Sequence, residues 1–213
     1  MTARFRILRA YTPYSLLIAV VCDQRFVLRM PASLPLDASA PLLCAGITVY
    51  SPMRVHGLDK AGLRLGVLGM GGLGSMAVRF GKAFGCEVTV ISTSPSKEAE
   101  ARALGATKFL LSSDKEAMKA AAGSLDGIID TVAAKHDLGT YLNLLDVDGK
   151  LILVGVAPES LDLHAFAVSA CPRSGCRAGA CPSRVTYACA LHPAFPRSWR
   201  RQVGHWLADW RPP

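Results

Sequence analysis

Leu65-Gly66-Val67-Leu68-Gly69-Met70-Gly71-Gly72-Leu73-Gly74 decides how the chain is read. Four residues suited to a buried strand run straight into a glycine turn, and Leu73 to Phe84 follow with a helical pattern that Gly85 can stop. The glycines of G-x-G-x-x-G serve different ends. Gly69 permits the tight turn, Gly71 lets the backbone approach a diphosphate, and Gly74 lets the helix pack closely on the sheet. The free N–H groups at the helix start, and its positive dipole end, then face the phosphates.

Outward from this stretch the beat repeats. Glu87 to Ile91 reads as a strand, Ser94-Pro95 as N-cap and first residue of a helix, and Lys108 to Leu111 as a third strand. Ser113 and Glu116 are spaced as a capping box for another helix. Gly127 to Val132 is the fourth strand, Leu138 to Leu145 a helix, and Leu151 to Val156 the fifth strand. Strands alternating with helices predict an α/β domain, a doubly wound parallel sheet of the Rossmann type. Its expected span is residues 60–160.

The second strand's end bears on the cofactor. An NAD site usually carries Asp or Glu about 20 residues after the glycines, bonded to the ribose 2′-hydroxyl. Here Ser92-Thr93-Ser94-Pro95-Ser96-Lys97 stands instead. Hydroxyls and a cation suit a 2′-phosphate, which an acid would repel, so the pattern predicts NADP. Ser94 can serve as a helix cap and Lys97 as a solvated cation at the same time.

Residues 1–59 read as a remnant of a β-rich domain with a linking helix. Ser15 to Val21 and Arg25 to Met30 are strand-like, with Asp23-Gln24 as the turn between them. Arg4, Arg6 and Arg9 ahead of the apolar run Leu16 to Cys22 imitate a leader. Asp23 follows at once, however, without a small-x-small cleavage site, and the run is read as a buried strand. Asp37 is expected to cap a helix through Leu42, Leu43 and Cys44, with Pro41 tolerated early in it.

Residues 161–213 change character. They hold six of the thirteen prolines, all three Trp, four of the seven Cys, seven Arg and no Lys, against Asp162 and Asp209 alone. Most of the chain's net charge of +8 therefore sits here and says little about the core. The segment shows no regular period and reads as an irregular tail, as a frameshift or altered splice would give. It leaves the sheet an unpaired edge at Val156. Cys171, Cys176, Cys181 and Cys189 lack the close C-x2-C pair common in structural zinc sites, and Arg197, Arg200 and Arg201 beside Trp199 carry no nucleic-acid-binding fold. Neither metal nor nucleic acid is assigned to the tail, and no role to His56 or His136. The hydrophobic share of 51% indicates a globular chain, and no apolar run is long enough to span a bilayer. Reduced thiols and a cytoplasmic location are expected.

Ala40-Pro41-Leu42-Leu43-Cys44-Ala45-Gly46-Ile47-Thr48-Val49-Tyr50-Ser51-Pro52 opens a set of matching stretches. The others are the glycine motif, Val88 to Ser94, Leu125 to Thr131, and Asp148-Gly149-Lys150 running into Val154-Gly155-Val156. Through these the chain resembles the plant cinnamyl alcohol dehydrogenase family, within the zinc-dependent medium-chain alcohol dehydrogenases, from roughly Ser15 to His164. The resemblance implies an oxidoreductase that reduces cinnamaldehydes to the alcohols of lignin with NADPH, in a homodimer with two zinc ions per subunit. By position it implies Cys44 as one zinc ligand. It implies Thr48, Gly69, Met70, Gly71, Gly72, Leu73, Gly74, Ser92, Thr93, Ser94, Pro95, Ser96, Lys97, Thr131 and Gly155 as cofactor contacts. A catalytic zinc keeps three protein ligands and one open position, where the aldehyde oxygen is polarised. Most of the family's catalytic lobe has no counterpart here, so no catalytic residue is assigned. The alternative expectation is an NADP-binding chain without turnover.

Overall fold

The computed structural model describes residues 5–10, 18–23, 30–31, 33–163 and 184–187. The chain divides into two compact units, the larger being Ala40–Phe195. The smaller contains β1 (Phe5–Ala10) and β2 (Ile18–Asp23), an antiparallel pair with Phe5 opposite Asp23 and Ala10 opposite Ile18, and a short helix α1 (Leu36–Ser39). This corrects the predicted turn: Asp23 belongs to the strand formed by the apolar run, which pairs with the arginine-bearing segment before it. Arg25 to Arg29 lie outside the described residues.

A further correction concerns Asp37, which sits inside α1 instead of capping a longer helix. Pro41 has no N–H to donate to residue 37, and the chain tightens to a 3-10 turn over Ala40–Leu43. A new helix α2 (Ala45–His56) starts beyond Cys44. It ends on Gly57 at φ 71°, where the Leu58 N–H returns to the Met53 carbonyl at 2.8 Å.

The larger unit is built on six parallel strands in the order β5-β4-β3-β6-β7-β8. They are β3 (Arg64–Leu68), β4 (Glu87–Ser92), β5 (Lys108–Leu111), β6 (Leu125–Asp130), β7 (Leu145–Leu153) and β8 (Arg184–Tyr187). The connecting helices are α3 (Gly72–Ala83), α4 (Glu98–Leu104), α5 (Lys115–Ala120) and α6 (Leu138–Leu142). The α/β doubly wound sheet is as predicted. Alternate residues of the central strands feed opposite faces. Leu68, Ile91, Leu110, Ile128, Leu151 and Leu153 pack with Met118 of α5 and with Leu138 and Leu142 of α6. On the other face Gly81 of α3 lies so close to Leu65 and Val88 that an added Cβ would stand 2.9 and 2.7 Å from them, and Gly127 is pressed against Leu58. Lys150 crosses to α2 and donates to the His56 carbonyl at 2.6 Å, satisfying a last-turn oxygen.

Several predicted boundaries shift for local reasons. The cap of α5 is Asp114, whose carboxylate accepts from the Glu116 and Ala117 amides, not Ser113. Ser94 makes no side-chain cap bond; Pro95–Lys97 is a 3-10 turn that leads into α4. The helix predicted over Leu138 to Leu145 stops at Leu142, because Leu145 already belongs to β7. That strand is nine residues long and bends at Asp148, which takes φ 64° ahead of Gly149. Arg184–Tyr187 runs parallel to Lys150–Leu153, so the edge at β7 is covered by a strand from a segment predicted to be irregular.

Candidate cofactor site

The sheet order creates the site. From β3 the chain builds outward through β4 and β5, then returns to lay β6 on the other side of β3. The crevice at the C-terminal ends of β3 and β6 is therefore the topological switch point, where such sheets hold ligands. Gly69 follows β3 with φ 89°, and Thr131 follows β6. The two ends are tied together: the Thr131 N–H and Oγ1 both donate to the Leu68 carbonyl, at 3.0 and 2.8 Å, and the Gly69 N–H donates to Ile91.

The glycines divide into those hemmed in and those left open. A Cβ on Gly74 would stand 2.1 Å from the Gly69 oxygen, so only glycine allows α3 to start this close to the turn. A Cβ added to Gly71 or Gly72 would meet nothing within 4 Å. Neither residue puts a side chain beside the first amides of α3, which fits a diphosphate. Met70 is buried beneath the turn, while Leu73 is half-buried on α3. Gly155 closes the far side: its added Cβ would meet the Val132 oxygen at 2.3 Å, and the Val154 and Gly155 amides both donate to Asp130.

The end of β4 carries the predicted hydroxyl segment. Ser92 is buried and its Oγ accepts from the Ser94 amide at 3.2 Å, so it shapes the turn. Thr93, Ser94, Pro95 and Ser96 are exposed beside it. The Lys97 ammonium, expected to be solvated or phosphate-facing, pairs with Glu100 at 2.8 Å, both side chains being nearly half exposed. The structure therefore brings Gly69 to Gly74, Thr131 and Gly155 into one corner, with Ser92 to Lys97 at the adjoining strand end. Thr48 and Cys44 belong to another element, the start of α2, where the Thr48 amide donates to the Cys44 carbonyl at 3.1 Å. That helix docks on α3 through Tyr50, edge-on to Phe80 with ring centroids 5.5 Å apart.

Two residues at this corner escaped the sequence reading. Asp130 ends β6 with 1% exposure, and His136, given no role from sequence, sits against it with Nε2 2.8 Å from Oδ2. An acid directly after the buried run Gly127-Ile128-Ile129 was the available signal. Burial pushes the Asp130 carboxyl up, opposed by the Val132 amide and by the neighbouring imidazole.

The Zinc-binding dehydrogenase family matches residues 72–176. A mannitol dehydrogenase of Petroselinum crispum is 59% identical over 149 residues, 70% of this chain and 44% of that protein. Over this stretch the chain belongs to the zinc-binding dehydrogenase family. Two solved structures resemble this chain along most of its length. A cinnamyl alcohol dehydrogenase of Sorghum bicolor, 46% identical, superposes with a TM-score of 0.77 over 89% of this chain and 50% of its own. The cinnamyl alcohol dehydrogenase of Helicobacter pylori complexed with NADP(H), 31% identical, gives 0.72 over the same shares. The chain spans less than half the length of the curated relative. Among the described residues no three His, Cys, Asp or Glu come together as a metal site, and Cys44 is exposed. One thiolate does not make the three-ligand set that a catalytic zinc requires. The donor set among the described residues does not fit the metal of the family's name.

Proposed function

We propose that the chain is the NADP-binding part of an alcohol dehydrogenase-like oxidoreductase whose substrates are aldehydes and alcohols of the cinnamyl class. The observation that carries this is the open glycine corner at the switch point, beside a strand end with hydroxyls where an NAD site has an acid. The first amides of α3 would hold the diphosphate. Thr93 and Ser94 would meet the 2′-phosphate, and Lys97 would turn to it from Glu100. Thr131 and Gly155 would line the side reached by the nicotinamide ribose. NADP(H), when bound, supplies hydride chemistry; the protein's part is to position it. No step is routed through zinc.

A second reading is favoured by the missing ligand set: the chain holds NADP without turnover. Purified chain with NADPH and coniferaldehyde separates the two. NADPH oxidation dependent on the aldehyde supports the oxidoreductase, and binding without oxidation supports the second reading. A cytoplasmic location and a homodimer, both expectations from the sequence, belong to this proposal. Among the described residues no helix is long and apolar enough to cross a membrane.

A further inference from the structure

Asp130 and His136 hold the loop between β6 and α6 through contacts that count protons. One Asp130 oxygen accepts from the Val132 amide at 2.9 Å, and the other lies 2.8 Å from Nε2 of His136. The second ring nitrogen, Nδ1, lies 2.7 Å from the Ala134 carbonyl oxygen. A carbonyl only accepts, so Nδ1 must carry a hydrogen. A carboxylate also only accepts, so Nε2 must carry another, or else the carboxyl carries it and donates to Nε2. Both arrangements contain one proton more than a neutral imidazole beside a carboxylate, and they are one macroscopic state of the pair.

We propose that Asp130 and His136 share this additional proton, and that it fastens loop 131–137 in the shape that sets Thr131 and Val132 against the glycine corner, making His136 a positioning residue for the cofactor. The proposal rests on the cofactor reading above. The surroundings favour a proton here. The His136 side chain is 12% exposed. Tyr141 of α6 meets the ring edge-on, with centroids 5.8 Å apart, and burial keeps its phenol protonated; Ser112 bonds to it from the end of β5. Asp137, next in the chain, is held below the usual carboxylate range by the Thr140 hydroxyl, the Gly139 and Thr140 amides and the His136 charge, so it presents a second negative group. The nearest cation along the chain, Lys135, pairs with Asp162 at 3.1 Å.

Without the proton, a nitrogen lone pair would face an oxygen at under 3 Å, and the ring or the loop would have to give. The sign follows from the contacts: only the proton-bearing pair satisfies both, so folding favours the bound proton, and this stability is present at low pH and lost as pH rises.

Asp130→Asn isolates the proton. Its amide oxygen can accept from Val132 while its NH2 donates to Nε2 of a neutral ring, so the geometry survives with no additional proton. The full chain and this variant are followed by thermal denaturation and by NADPH titration, from about pH 6 to about pH 9. We expect the native chain to lose melting temperature relative to Asp130→Asn as pH rises, and its NADPH affinity to fall by about fivefold more than the variant's. His136→Phe keeps a ring against Tyr141 but strands the carboxylate, and should bind more weakly at every pH. Parallel pH profiles for the native chain and Asp130→Asn, in melting temperature, would overturn the shared proton. A melting difference without an affinity difference would overturn the positioning role. If nothing binds NADPH at any pH, the cofactor reading and the positioning role fail together, while the melting profiles still decide the proton.

Discussion

A methyl group on Gly74 and one on Gly71 would have opposite consequences, although both belong to one motif. At Gly74 the methyl would collide with the Gly69 carbonyl, so Gly74→Ala should cost about 1–3 kcal/mol and lower the melting temperature. At Gly71 the backbone is extended and the space empty. Gly71→Ala should melt like the native chain yet bind NADPH about tenfold more weakly, because the methyl occupies the diphosphate's place. Equal melting losses in the two variants would contradict this division. Both roles were legible in the sequence, since each follows from what a side chain would block. The partner of Lys97 was not: Glu100 lies one turn on, and only the folded geometry shows the two charges joined. Glu100→Gln should free the lysine and raise NADP affinity over NAD, measured by parallel titrations; an unchanged ratio would remove Lys97 from the phosphate site.

Elements were readable wherever period and punctuation agreed, and misplaced where two residues competed for one position. Ser113 and Asp114 both suit a helix cap, and the structure selects Asp114. Asp114→Ala should therefore cost about 1 kcal/mol, and Ser113→Ala almost nothing, in denaturant unfolding. The strand bottoms carry a clamp that sequence separation concealed. Arg64 on β3 bonds Asp126 on β6 through its amide at 2.8 Å and its guanidinium, and reaches Asp146 on β7 at 2.9 Å. Burial works to raise the Asp126 carboxyl, but the hydrogen bonds and charge of Arg64 prevail and hold it below its ordinary value. A depressed carboxyl contributes stability above its unfolded value of about 3.9, lost as pH falls through the folded one. Arg64→Met should cost about 1 kcal/mol near neutral pH, little because the clamp is partly exposed, and the deficit should shrink in acid.

At the scale of the molecule, the parallel sheet was foreseeable from the alternation of strands and helices, and its last strand was not. Arg184–Tyr187 carries no period long enough to read, and its place beside β7 depends on a pairing across more than thirty residues of chain. A chain ending at Leu163 would present Lys150–Leu153 as an open edge and should aggregate in light-scattering assays at concentrations where the full chain stays dispersed. The Asp130–His136 pair was hidden for a related reason: a spacing of six in a loop says nothing about distance. What the architecture does dictate is the crevice between β3 and β6, and with it a phosphate-binding corner. Titration of the full-length chain with NADPH and with NADH tests this directly. Saturable binding of both is expected, with NADPH tighter by at least about tenfold. A folded chain that binds neither, or that holds NADH as well as NADPH, would contradict it.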